Sequence, residues 1–263
     1  MPRANRHHIS GCVWHLTHRC HDRSFLLKFA RDRRRWIHWL FEARKRHDLT
    51  VLNYMVTSNH IHLLVVDGED REAIPRTMQL AAGRTAQEYN VRKRRRGAFW
   101  EDRYHATAVE SGEHLRNCMA YIDLNMCRAG AVSHPAQWDC CGYQEIQTPR
   151  ERYRIIDREG AARLLGYESP DALSTAQEDW IKSSLAKGDR RQTQWSESVA
   201  IGSEGFVRSV QQRLGIRARH RKVEETDGCH VLREEPGAYH AGSLAKSTLL
   251  SGDNTVPLTL ERW

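Results

Sequence analysis

The chain has 263 residues, 40% hydrophobic and 28% charged, enough for one large domain or two small ones around a buried core. No apolar run approaches the ~20 residues that cross a bilayer, so a membrane span is excluded from the expectations. Lys and Arg number 41 against 33 Asp and Glu, a formal charge of +8, which points to a polyanionic partner, with nucleic acid ahead of a membrane surface.

The N-terminal MPRANRHHISG is basic and lacks the apolar core of a secretory signal, so a cytoplasmic protein is expected. Seven cysteines, an odd number with no C-x-x-C pair, argue against a disulfide framework or a zinc finger and read as small buried thiols.

Residues 7–19, HHISGCVWHLTHR, alternate apolar and polar and suit a first strand. Residues 31–47 follow as a helix, with Trp36, Ile37, Leu40 and Phe41 at helical spacing and Arg and Lys opposite. Residues 49–57 read as a second strand, Ser58-Asn59 as a tight turn and His60 to Val66 as a third strand, together a hairpin. A helix over 71–92 carries Ile74, Met78, Leu80, Ala81 and Ala86 as apolar positions and ends in the basic run Arg92 to Arg96, punctuated by Gly97. Residues 104–110, YHATAVE, fit a fourth strand. Ser111 is a good N-cap, Glu113 suits the positive helix start, and a helix then runs to about Arg128, stopped by Gly130.

The order β-α-β-β-α-β plus a helix is the ferredoxin-like α+β pattern: a four-stranded antiparallel sheet, two helices on one face, and the added helix available to the other. Three regions follow. Residues 1–148 form the main domain and 149–225 a mainly helical, basic extension. Helix is expected over 157–187, with a turn at 166–170, and over 202–215, and residues 216–222 are basic. Residues 226–263 are rich in Gly, Ser, Thr and Pro without periodicity and read as an unstructured tail.

The segment TSNHIHLLVV raises the chemical question. On a strand, residues two apart share a face, so His60 and His62 point the same way, about 7 Å apart along the backbone. They can converge on one divalent ion, or can be two hydrogen-bonded, inert histidines at a strand start. In GEHLRNCMAYIDLNMCRAG, Leu115, Met119, Ile122 and Met126 make an apolar stripe toward the sheet, and Asn117, Tyr121 and Asn125 line its flank at spacings of four. Asn125 can offer a carbonyl oxygen to a metal and Tyr121 can act as a nucleophile; a lone tyrosine at a helix boundary is also ordinary amphipathic packing. Arg31 to Arg35, Arg92 to Arg96, Arg103 and Arg217 to Lys222 can meet phosphates or be solvated surface. Phe99, Trp100 and Tyr104, beside the second run, can stack on unpaired bases or pack in the core.

SNHIHLLVV resembles the His-hydrophobic-His (HUH) motif of single-tyrosine HUH transposases, and FWEDRYHATAVESGEHLRNCMAYIDLNMCRAGAV resembles the segment that carries their tyrosine. The pattern is most similar to the REP-associated tyrosine transposases, whose usual helix reads Tyr-Ile-x-x-Asn-Pro-x-x-Ala-Gly. Here it runs from Tyr121 to Gly130 with Met126 in place of proline. The resemblance spans residues 8–148, and larger family members carry a comparable extension.

It implies a divalent ion, Mg2+ or Mn2+, held by His60, His62 and Asn125. It also implies attack by Tyr121 on single-stranded, palindromic hairpin DNA, with a 5′-phosphotyrosine intermediate and a free 3′-OH. Arg92, Lys93, Arg94, Arg95, Arg96, Trp100 and Arg103 are the expected DNA contacts, and the protein is expected as a monomer or a homodimer. A phenol ionises near pH 10 when unperturbed, so a nearby cation is needed to favour phenolate. Two further readings stay open on the residues alone: a metal-dependent hydrolase with water as nucleophile, and a non-catalytic DNA-binding regulator.

Overall fold

A computed structural model describes residues 8–234 apart from 188–191, 193, 219 and 227. The start of the basic N-terminal stretch and residues 235–263 of the expected tail lie outside the described residues.

The chain runs β1 (Val13–Arg19), α1 (Ala30–His47), β2 (Thr50–Val56), β3 (His60–Val66), α2 (Ala73–Lys93), β4 (His105–Val109) and α3 (Glu113–Asp123). The first four strands pair antiparallel in the order β2-β3-β1-β4, which is the ferredoxin-like arrangement expected. β1 starts later than expected because Gly11 turns the chain at φ 78°, and Ile9 N–H is tied instead to the Asp67 carboxylate at 2.8 Å.

The two faces of the sheet are dressed differently. His18 on β1 stacks on Trp100 at 4.2 Å, and the Trp100 indole N–H donates to the Ala82 carbonyl in α2. This is the face of α2 and of α1, which packs along it. Asn53 of β2 donates to Asp123 of α3, so the opposite face carries α3, as expected. The added helix thus covers the second face, and Ile61 to Val65 of β3 are sealed on both sides. Their continuous apolar run reflects that double burial.

The expected helix to Arg128 is two pieces. α3 ends at Asp123, Leu124 takes ψ 1°, and a short α4 (Asn125–Arg128) follows. The break occurs with Met126, not proline, just beyond it. The N-cap of α3 is Gly112, not Ser111: the entry needs φ 72° and ψ −126°, a conformation closed to residues with a Cβ. The predicted stripe is buried, with Leu115, Met119 and Ile122 fully enclosed and Met126 nearly so.

α5 (Gly142–Gln147) closes the first region, and the extension contains α6 (Arg158–Leu165), α7 (Pro170–Lys187), α8 (Gln194–Glu197) and α9 (Glu204–Leu214). It also adds three strands, β5 (Ala200–Gly202), β6 (Arg221–Thr226) and β7 (Cys229–Glu234), which extend one sheet to seven strands. β5 pairs parallel to β4, and β7 pairs antiparallel to β5.

The reading of residues 226–234 as unstructured is therefore corrected. β5 is only three residues, too short to show a period, and β6 carries four charged residues in six. Val231 and Leu232 are fully buried only because β4 offers an edge for β5 to extend. Among the described residues no helix is long and apolar enough to cross a membrane, and none of the seven cysteines is in a disulfide.

Candidate active site

β3 delivers His60 and His62 to the face under α3. His62 is 2% exposed and pairs in register with Thr17 of β1. Its Nδ1 lies 2.9 Å from His15 Nε2, and its Nε2 lies 3.0 Å from the Asn125 side-chain amide. His60 sits half-buried at the lip, its ring centroid 4.9 Å from that of His62. The Nδ1 of His60 is 2.7 Å from Asn59 Oδ1, which can only accept, so this nitrogen carries a proton.

α3 supplies Tyr121, which is 8% exposed, its ring edge-on to His62 at 5.8 Å and 6.1 Å from His15. The Arg128 guanidinium lies 4.3 Å from the Tyr121 ring centroid and also donates to the Tyr121 carbonyl. The one-residue break at Leu124 lets Tyr121 and Asn125 sit on successive turns and address one cavity. Between them, Asp123 is fully buried and accepts from Asn53 at 2.9 Å and from Gln177 at 2.8 Å, pinning the turn to β2 and α7.

The cavity, of about 560 Å3, is lined by His60, His62, Tyr121 and Asn125 together with Arg19, Arg23, Arg103 and Arg128, with Glu101 and Asp102 also on its wall. Of the expected site residues it unites the two histidines, the tyrosine, the asparagine and Arg103. It leaves out the run 92–96. Arg92 pairs with the buried Asp32, and Arg95 donates to Asn90 and to the Ala98 carbonyl, holding its own loop. Lys93 lies 5.6 Å over the Phe29 ring, and Arg94 and Arg96 are exposed on the surface. Trp100 is committed to His18 and α2, while Phe99 is buried in the core. Asn117, a turn before Tyr121, faces a second cavity of about 380 Å3 on the other side of that tyrosine, with Gln192, Gln194 and Trp195.

Sequence reasoning missed His15, Arg19, Arg23, Arg128 and Trp195. The signal for the first was present: His15, Thr17 and Arg19 share one face of β1, and β1 lies beside β3 in this fold. Burial pushes His15 down to about 3, so its ring is neutral near pH 7. Burial likewise holds His62 well below the ordinary imidazole value, with His60 and His15 adding to the effect.

The ring nitrogens of His60 and His62 and a carboxamide oxygen are a donor set that fits a divalent ion of intermediate hardness. Among the described residues no group of three or more His, Cys, Asp or Glu side chains is placed to hold a metal ion.

No curated protein sequence matches the chain. A solved structure of a REP-associated tyrosine transposase bound to a REP hairpin is similar at 18% identity. The match covers 59% of this chain and 90% of that one, with a TM-score of 0.46. The family model described as "Transposase IS200 like" matches residues 8–125. That match runs from the entry to β1 through the first residue of α4 and includes His60, His62, Tyr121 and Asn125, so this part of the chain is similar to the IS200-like transposases.

Proposed function

We propose that this protein cleaves and rejoins single-stranded DNA, using Tyr121 as the nucleophile. The observation that carries the reading is the convergence of His60, His62, Tyr121 and Asn125 on one cavity walled by four arginines. The Tyr121 phenolic oxygen attacks phosphorus, and the P–O bond to the 3′ oxygen breaks. That oxygen leaves as a 3′-OH after taking up a proton, and the 5′-phosphate stays esterified to Tyr121. A different 3′-OH reverses the step without external energy, because the tyrosyl ester keeps the bond energy of the phosphodiester.

Arg128, stacked on the Tyr121 ring, favours the phenolate over the phenol, and Arg19, Arg23 and Arg103 neutralise flanking phosphates. A divalent ion, Mg2+ or Mn2+, held by His60, His62 and the Asn125 carboxamide oxygen would supply Lewis-acid polarisation of the scissile phosphate. A palindromic hairpin substrate rests on the likeness of the Tyr121 to Gly130 segment to REP-associated transposases.

The test is labelled hairpin DNA incubated with the full chain and Mn2+, then resolved on a denaturing gel. A metal-dependent covalent adduct, absent in Tyr121→Phe while DNA binding persists, supports the reading. Cleavage retained in Tyr121→Phe without any adduct would replace it with a water-using hydrolase. Binding indifferent to chelator and to His62→Ala, with no cleavage, would replace it with a regulator.

A further inference from the structure

The hydrogen bonds around His62 form a directed chain. At one end the Trp195 carbonyl lies 2.8 Å from His15 Nδ1. A carbonyl only accepts, so His15 Nδ1 carries a proton. His15 is fully buried, and a charged imidazolium there would lose its hydration. His15 is therefore the neutral Nδ1–H tautomer, and its Nε2 is an acceptor. Among the described residues the group facing that acceptor, at 2.9 Å, is His62 Nδ1, which must carry the proton of the second bond. The lone pair of His62 is thereby left on Nε2, the atom that receives the Asn125 amide at 3.0 Å and faces the cavity of Tyr121.

The Trp195 carbonyl is itself anchored. It accepts from the Thr107 hydroxyl of β4 at 3.3 Å, and three residues on the Ser198 carbonyl accepts from Thr107 at 2.6 Å and from His105 at 2.9 Å.

We infer that His15 is a positioning residue through which the C-terminal extension, by the Trp195 carbonyl, fixes the tautomer and ring orientation of His62 for metal binding. This rests on the metal reading of His60, His62 and Asn125. The chain acts as an outer shell in the usual sense: the ring N–H opposite the ligating nitrogen is held by an acceptor, here a second imidazole whose own proton is held by backbone. Residues 149–234 then complete the site as well as enlarging the sheet.

The test uses the full chain. Long-range 1H–15N correlation of metal-free wild type should show His15 and His62 protonated at Nδ1 only. Titration with Mn2+ should show affinity falling 10- to 100-fold in His15→Phe, which keeps a buried ring but removes the acceptor. His15→Gln, which restores an acceptor, should return affinity to within a few-fold of wild type; a merely structural role predicts no such rescue. Equal Mn2+ affinity in a folded His15→Phe, or a proton on His62 Nε2 in the wild type, overturns the inference. If His15→Phe does not fold, the wild-type tautomers and the Gln variant decide. If the wild type binds no Mn2+, the metal reading falls, while the tautomers still decide whether His15 orients His62.

Discussion

Asp123→Asn tests how the turn between Tyr121 and Asn125 is held. Asp123 is fully buried with no cation against it, and burial pushes its carboxyl up to about 7, against the hydrogen bonds from Asn53 and Gln177 that pull it down. Both amides are locked as donors. The Tyr54 N–H donates to Asn53 Oδ1 at 2.8 Å, and Gln147 donates to Gln177 Oε1 at 2.9 Å. An asparagine at 123 must therefore set one N–H against another, leaving a buried donor unsatisfied at a cost of about 1–3 kcal/mol.

The wild type carries a different cost. With the carboxyl near 3.8 when unfolded and about 7 when folded, the folded state binds the extra proton between those values. Its contribution is present in full below the unfolded value and is lost as pH rises through the folded one. Between pH 5 and pH 8 the wild type should lose roughly 2–3 kcal/mol that Asp123→Asn does not lose. Urea unfolding followed by tryptophan fluorescence at pH 5, 6, 7 and 8, in chelator, measures both. The variant should start weaker at pH 5 and gain on the wild type steadily. Parallel stability curves, or a variant that falls behind further as pH rises, would refute the reasoning.

Two other outcomes follow from the geometry. Arg128→Met removes the cation over the Tyr121 ring and should slow single-turnover adduct formation about 100-fold, with a much smaller change in DNA affinity; an unchanged rate would remove Arg128 from the chemistry. Leu232→Ala, at a fully buried position in β7, should destabilise by about 2–5 kcal/mol, and both wild type and variant should unfold in one calorimetric transition because β5 to β7 continue the sheet of β1 to β4. Two separated transitions would contradict a shared core.

Much of the site was legible because its parts are local. The period of two placed His60 and His62 on one face, and spacings of four put Tyr121 and Asn125 on successive turns. Arg92 to Arg96 stand outside the cavity, which the sequence does not reveal: charge in a sequence does not show its partner, and Asp32, distant along the chain, takes up Arg92.

The sequence alone determined the order of elements from β1 to α3, the double burial of β3 and the identity of the histidine, tyrosine and asparagine side chains, since each is a matter of short-range periodicity. Only the tertiary structure decided what surrounds them. β1 lies against β3 and brings His15 to His62, and α8 brings the Trp195 carbonyl to His15 across 180 residues. The strands past residue 199 exist because β4 leaves an edge to pair. Such contacts are set by which surfaces meet in space, and no spacing along the chain encodes them.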